Sequence, residues 1–148
     1  GQYLYLHRIN DPGNLGTIFR TAAWFGLNEI LLSKGSVDPY NPKVIRAAMG
    51  GLFYTNIFRN VDFEDLKERS QKYNLQLVAA DMSGKNITRL AEIPKDFILC
   101  MGSESHGLPD NIMAAVDQIV SIPKLGQGES LNLAISAGII IKDFMLSI

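Results

Sequence analysis

At 148 residues the chain is sized for one domain, with little room for two. Its 47% hydrophobic and 20% charged residues are ordinary globular values, and a net charge of −1 gives no bulk electrostatic sign of nucleic-acid binding. The single cysteine, Cys100, excludes an intrachain disulfide and suits a reducing compartment.

Hydrophobic period and turn residues predict strands alternating with helices. A first strand covers Tyr3 to His7, and the turn cluster Asn10-Asp11-Pro12-Gly13 follows. Asn14 is placed to cap a helix running to Phe25, with Leu15, Ile18, Ala22 and Phe25 on one face and Gly26 as its stop. A second strand spans Glu29 to Ser33. Pro42 opens a short helix through Met49, Gly50-Gly51 ends it, and a third strand is expected from Leu52 to Phe58. Asp62 caps a charged helix from Phe63 to Tyr73. Strands follow at Leu75 to Ala80 and Phe97 to Gly102, then a helix opened by Pro109, then a strand at Gln118 to Ile122. An apolar helix from Leu131 to Met145, with Ser130 as its expected cap, closes the chain.

This order predicts an α/β domain with a mostly parallel sheet flanked by helices. Ligands bind such sheets at the carboxyl ends of the strands. The polar clusters fall there, at 11–14, 81–85, 102–107 and 123–132. Charge is unevenly spread, with six Lys/Arg against three acids in residues 1–60. That local excess is compatible with phosphate contact. The apolar stretch Ala134 to Ile141 is too short to span a bilayer, charge and turn residues arrive too early for a signal peptide, and the expected location is the cytoplasm, away from membranes.

Three segments carry candidate chemistry. In the first, Asn14 and Arg20 lie six apart on one helix, and a cation there can address a phosphate or a reacting oxygen. In the second, Gly102-Ser103-Glu104-Ser105-His106-Gly107 directly follows a strand. Its glycines allow close backbone approach to a ligand, and Glu104 offers a carboxylate. A carboxylate that simply favours the dipole of the following helix is the bland alternative for Glu104. His106, with no second His or Cys nearby, gives no case for a metal. In the third, Ile122-Pro123 leads to Ser130-Leu131-Asn132 at a helix start, where backbone amides can meet an anion. Neither G-x-x-x-x-G-K-[ST] nor G-x-G-x-x-G occurs, which counts against ordinary ATPases and dinucleotide enzymes. Residue pattern alone stops at an α/β domain with a loop-built small-molecule site.

Taken in order, the segments resemble the three motifs of the SpoU (TrmH) family of RNA ribose methyltransferases, in the SPOUT superfamily. The matching residues are Asn14-x-Gly16-x-x-x-Arg20-x-Ala22, then Gly102-x-Glu104-x-x-Gly107, then Ile122-Pro123 with Ser130-Leu131-Asn132. Asp11-Pro12-Gly13-Asn14 and the stretch from Asn41 to Ala47 match the family's usual wording as well. Ser105-His106 departs from it, standing where many relatives have a glycine with a polar residue.

The resemblance implies a catalytic domain over residues 1–148 with a deep trefoil knot in its C-terminal part, from about Ala80 to the last helix. It implies S-adenosylmethionine as cofactor, with Ala80, Met101, Gly102, Gly107, Ile122 and Leu131 as its binding positions, and no metal. Arg20, Asn14, Glu104, Ser130 and Asn132 become the catalytic set, with Arg20, Lys43 and Arg46 facing substrate RNA. The implied reaction is methyl transfer to a ribose 2′-hydroxyl, with ribosomal RNA favoured over transfer RNA. The implied assembly is a homodimer built on the first and last helices, its site completed across the interface. Many relatives carry an N-terminal RNA-binding domain, so Gly1 is read as a domain boundary. One alternative is a catalytically inactive SPOUT domain that binds RNA or cofactor, and another is an unrelated nucleotide-dependent α/β enzyme.

Overall fold

Strand β1 (Gln2–His7) alternates its side chains between two apolar layers. Leu4 and Leu6 enter one core, and Tyr5 enters the other with Phe63, Ile98 and Cys100. A strand buried on both faces belongs in the middle of a sheet with helices above and below it. The computed structural model, which describes residues 1–87 and 93–148, has that arrangement.

Around β1 the described elements are α1 (Pro12–Phe25), β2 (Glu29–Ser33), α2 (Pro42–Ala48), β3 (Asn56–Val61), α3 (Phe63–Lys72), β4 (Gln76–Asn86), β5 (Phe97–Gly102), α4 (Asp110–Ala115), β6 (Gln118–Ser121) and α5 (Leu133–Leu146). Among the described residues the strands form one sheet in the order β3-β2-β1-β5-β4-β6, and every pairing is parallel. The expected α/β architecture is therefore present. The chain builds outward from β1 to β3, then restarts on the other side, so the order reverses between β1 and β5. Such a reversal opens a crevice at the strands' carboxyl ends.

Several element boundaries differ from expectation, the third strand ending at Val61 and the last helix starting at Leu133 among them. Asp11, not Asn14, caps α1: its carboxylate accepts the Asn14 N–H at 2.9 Å, and Pro12 fills the first helical position, where a missing N–H costs nothing. The third strand begins at Asn56, because Gly51–Tyr54 forms a 3-10 turn. Gly51 packs on α1 so tightly that a Cβ would fall 2.8 Å from the Arg20 Cα. β4 runs on to Asn86. Its register against β6 jumps, so that Ala80 and Lys85 both align with Val120 and residues 81–83 form the bulge between them, Gly84 already lying against β6. β6 stops at Ser121, whose hydroxyl donates to the Gly84 carbonyl at 2.9 Å. Finally, Asn132 rather than Ser130 caps α5, its side-chain oxygen accepting the Ile135 N–H at 3.2 Å.

The main core lies between the sheet and the helices α1, α2 and α5, with Phe97 and Phe144 in edge-to-face contact at 4.9 Å. Gly16 brings α1 and α2 together, since a Cβ there would lie 2.4 Å from the Val44 carbonyl oxygen. No described helix is long and apolar enough to cross a membrane.

Candidate active site at the carboxyl edge of the sheet

The crevice between β1 and β5 gathers all three motif segments. α1 begins there because the chain turns sharply after β1 at Asn10-Asp11-Pro12. The loop after β5 carries Glu104, and α5 starts opposite with Asn132. The Asn14 amide nitrogen approaches Glu104 Oε1 at 3.5 Å, and the Asn132 amide donates to Asn14 Oδ1 at 3.2 Å. Glu104 Oε1 also accepts the Leu133 backbone N–H at 2.5 Å. Residues up to 118 positions apart thus form one polar network.

Glu104 serves a helix, but a different one from the bland alternative. It receives the first N–H of α5 rather than leading α4, because the Gly102–Gly107 loop folds back on itself. The Gly107 N–H donates to the Ser103 carbonyl at 2.8 Å, and Gly107 has a left-handed φ of 63°. A Cβ on Gly102 would lie 2.2 Å from the Gly107 carbonyl carbon, so only glycine fits. His106 is held within the loop, its ring Nδ1 2.8 Å from the Ser105 hydroxyl.

The other expected residues divide by position. Met101 and Gly102 are buried at the end of β5, while Ala80, Gly107 and Ile122 are half-buried on the loops and strand ends around it. Leu131 is exposed, as are Met82 in the β4 bulge and Leu125 on the loop after β6, giving the rim apolar side chains beside backbone amides. That combination suits a nucleoside, whose base wants apolar walls and whose edges want backbone partners.

Arg20 is not drawn into the network. Six residues of helix carry it about two-thirds of a turn from Asn14, onto the exposed face with Thr17 and Trp24. Among the described residues it makes no ion pair or hydrogen bond. Ser130 is exposed and likewise has no hydrogen bond there. Lys43 and Arg46 are exposed on α2.

Two neighbours of the network carried no individual role in the sequence reading. Asp11 orients Asn14 through its backbone, although the S/T/D/N-before-helix signal was available for it. His7 ends β1 in register with Gly102, and its Nδ1 lies 2.8 Å from the buried Tyr5 hydroxyl. Burial and the nearby Arg8 charge hold His7 below its usual range. Among the described residues no group of three or more His, Cys, Asp or Glu is placed to hold a metal ion. A cleft of about 610 Å³ at the opposite edge, lined by Lys67, Ser70, Asn74 and Asp117 among others, contains none of the site residues.

Residues 1–142 match the model of the SpoU rRNA methylase family. The chain belongs to that family. It is 34% identical over 144 residues to a 23S rRNA (guanosine(2553)-2′-O)-methyltransferase, RlmP, of Bacillus subtilis, covering 93% of this chain and 55% of that protein. In structure it resembles an AdoMet-bound rRNA methyltransferase from Sinorhizobium meliloti (TM-score 0.86, 36% identity, 97% of this chain and 55% of that one). It also resembles the SpoU methyltransferase AviRb from Streptomyces viridochromogenes in complex with AdoMet (TM-score 0.89, 26% identity, 97% and 56%). The chain spans about half the length of the curated relatives it matches.

Proposed function

We propose that residues 1–148 form the catalytic unit of an S-adenosylmethionine-dependent RNA methyltransferase acting on a ribose 2′-hydroxyl. The observation that carries this reading is the Asn14–Glu104–Asn132 network, which joins three separate motif segments at the one crevice where the sheet order reverses. Hydrogen-bonded side chains of this kind are spaced to orient a substrate, and holding reactants in line supplies much of a methyl transfer's acceleration.

When bound, S-adenosylmethionine supplies an electrophilic methyl group. Ala80, Met101, Gly102, Gly107, Ile122 and Leu131 would hold it, largely through backbone groups. Asn14, Glu104, Ser130 and Asn132 shape the site around the ribose. A guanidinium keeps its proton in protein surroundings, so Arg20 acts by charge. It holds a substrate phosphate near the 2′-hydroxyl, and that phosphate accepts the hydroxyl's hydrogen bond and assists loss of its proton to water as the oxygen attacks. Lys43 and Arg46 extend the phosphate contact.

Arg20's distance from the network favours a homodimer in which it completes the partner copy's site. Trp24 beside it is 84% exposed, and on α5 the stripe Ile135, Ile139, Lys142 and Leu146 leaves Ile135 and Leu146 uncovered. We infer also that the chain from about Ala80 to α5 is threaded as the trefoil knot of SPOUT domains, an exception to the rule against knots. Support comes from β4 bracketing β6 at Val120, with Gly84 close enough that a Cβ would meet the Val120 backbone at 2.6 Å. Residues 88–92 of that segment lie outside the described residues. Ribosomal RNA is the favoured substrate, and the cytoplasm the favoured location.

The test is methyl transfer from labelled S-adenosylmethionine to total RNA, followed by nucleoside analysis. Label in 2′-O-methylnucleosides is expected. Cofactor binding without transfer would return the chain to the inactive SPOUT reading, and label on a base would overturn the ribose assignment.

A further inference from the structure

The three elements that pack together at Arg20 contain no acid. α1, α2 and the 3-10 turn Gly51–Tyr54 carry Arg20, Lys43 and Arg46 and no Asp or Glu. All three cations are exposed, and among the described residues none is in an ion pair.

The turn is held against α1 by two adjacent glycines. Gly50 has a left-handed φ of 86°, and Gly51 lies where a Cβ would meet the Arg20 Cα at 2.8 Å and its N at 3.1 Å. In a 3-10 helix residues i and i+3 eclipse, which places Tyr54 one turn along from Gly51, the residue that packs on the Arg20 backbone. Phe53 precedes Tyr54 in the turn, its N–H donating to the Gly50 carbonyl at 3.1 Å. Phe53 is 84% exposed and Tyr54 73%, with Met49 exposed next to them. Neither ring has an aromatic or cationic partner among the described residues. Adjacent large apolar side chains left in water mark a contact surface rather than scattered exposure.

The charge pattern selects the occupant. Rings interleaved with unopposed cations match single-stranded nucleic acid, whose bases stack on aromatic faces while its phosphates meet Arg and Lys. We propose that the exposed rings of Phe53 and Tyr54 are a stacking platform for unpaired nucleobases of the RNA, each ring taking one base, beside the nucleotide whose phosphate Arg20 engages. The proposal rests on the RNA reading of the site and adds residues that none of the three motifs contains.

The test compares the wild-type protein with Phe53→Leu, Tyr54→Leu and the double variant, which keep apolarity and lose the π-faces. Anisotropy measures binding of an oligouridine RNA and of an abasic ribose-phosphate strand of equal length. Calorimetry measures S-adenosylmethionine binding, light scattering the oligomeric state, and methyl transfer to total RNA the activity. The platform predicts that the wild type prefers the base-bearing strand, and that each substitution weakens that binding by about 5- to 100-fold. The double variant should bind both strands alike, with cofactor affinity and mass unchanged. Equal binding of the two strands by the wild type overturns the proposal. So does unchanged oligouridine affinity in the variants. A variant that loses mass instead would assign the patch to a second copy of the chain and overturn it as well. A wild type that methylates RNA while its variants bind normally leaves the proposed function standing and removes only the platform. Absence of both RNA binding and transfer in the wild type removes both.

Discussion

Glu104 Oε1 accepts the backbone N–H of Leu133 at 2.5 Å, tying the loop after β5 to the first turn of α5. A carboxylate at a helix N-terminus satisfies an orphan donor and favours the helix dipole. The same oxygen lies within reach of the Asn14 amide. One side chain therefore bridges structure and site, and its replacement should damage both. Glu104→Gln keeps the shape and removes the charge. Urea unfolding should show a loss of about 1–2 kcal/mol, and methyl transfer should fall more steeply than the stability loss accounts for.

Arg20 gives the opposite pattern. It is exposed and bears no described contact within the fold, so Arg20→Ala should leave the unfolding midpoint within about 0.5 kcal/mol of wild type. Transfer should nevertheless be abolished while S-adenosylmethionine binding, followed by calorimetry, is retained. Near-wild-type turnover in this variant would sink the role given to Arg20.

The caps separate structural from site residues. Asn132→Ala removes the α5 cap and its link to Asn14, and should cost about 1 kcal/mol or more. Asp11→Ala removes the α1 cap and should cost a similar amount. Asn14→Ala removes no cap, so its stability cost should be the smaller, with a larger loss of activity. A double-mutant cycle on Asn14 and Asn132 should return a coupling of about 0.5–1 kcal/mol, measured by denaturant titration.

Close backbone packing predicts intolerance at two glycines. Gly16→Ala would press a methyl against the Val44 carbonyl and Ala47, and should destabilise by about 1–3 kcal/mol. Gly102→Ala would collide with the Gly107 backbone and should also weaken cofactor binding, since the loop must shift to admit it. Thermal melts with and without S-adenosylmethionine would separate the two effects.

Buried titratable groups set the pH window. Burial, with the neighbouring Cys100 adding to it, pushes the Tyr5 phenol up to about 12. Burial likewise pushes the Cys100 thiol up to about 12. Unfolded, the two groups ionise near about 10 and 8.5. The folded state thus binds more protons between these limits, and stability should fall as pH rises from about 8.5 toward 12. His7, held below its usual range, works the other way, and stability should fall as pH drops below about 6.5. Urea midpoints across pH would trace the plateau, and Tyr5→Phe should flatten its alkaline side. In the folded protein Cys100 should resist thiol reagents and react only on unfolding.

The alternation of strand and helix was legible because period and turn residues are local signals. Gly26 as a stop, Asp62 as a cap and the strand from Phe97 to Gly102 needed nothing from elsewhere in the chain. The two helix caps were misplaced by two or three residues within a local signal, whereas the strand errors arose where a distant partner decided. Gly51 leaves the extended conformation because α1 lies against it, and β4 continues past Ala80 because β6 lies beside residues 84–86. The three site segments were legible as an ordered set of motifs. Their contacts were not, since a helix cap and a site hydrogen bond call for the same residue types.

By itself the sequence determined the α/β class, the carboxyl-end location of the polar loops and the membership carried by its three motifs. Periodicity and residue chemistry travel with the chain and need no partner. The tertiary structure alone decided that Asn14, Glu104 and Asn132 meet while Arg20 faces outward, and that the turn Gly51–Tyr54 packs on α1 through Gly51. The strand order dictates which loops share a crevice, and helical rotation dictates which side chains point into it. Both follow from packing across the sheet, which no local stretch of residues records.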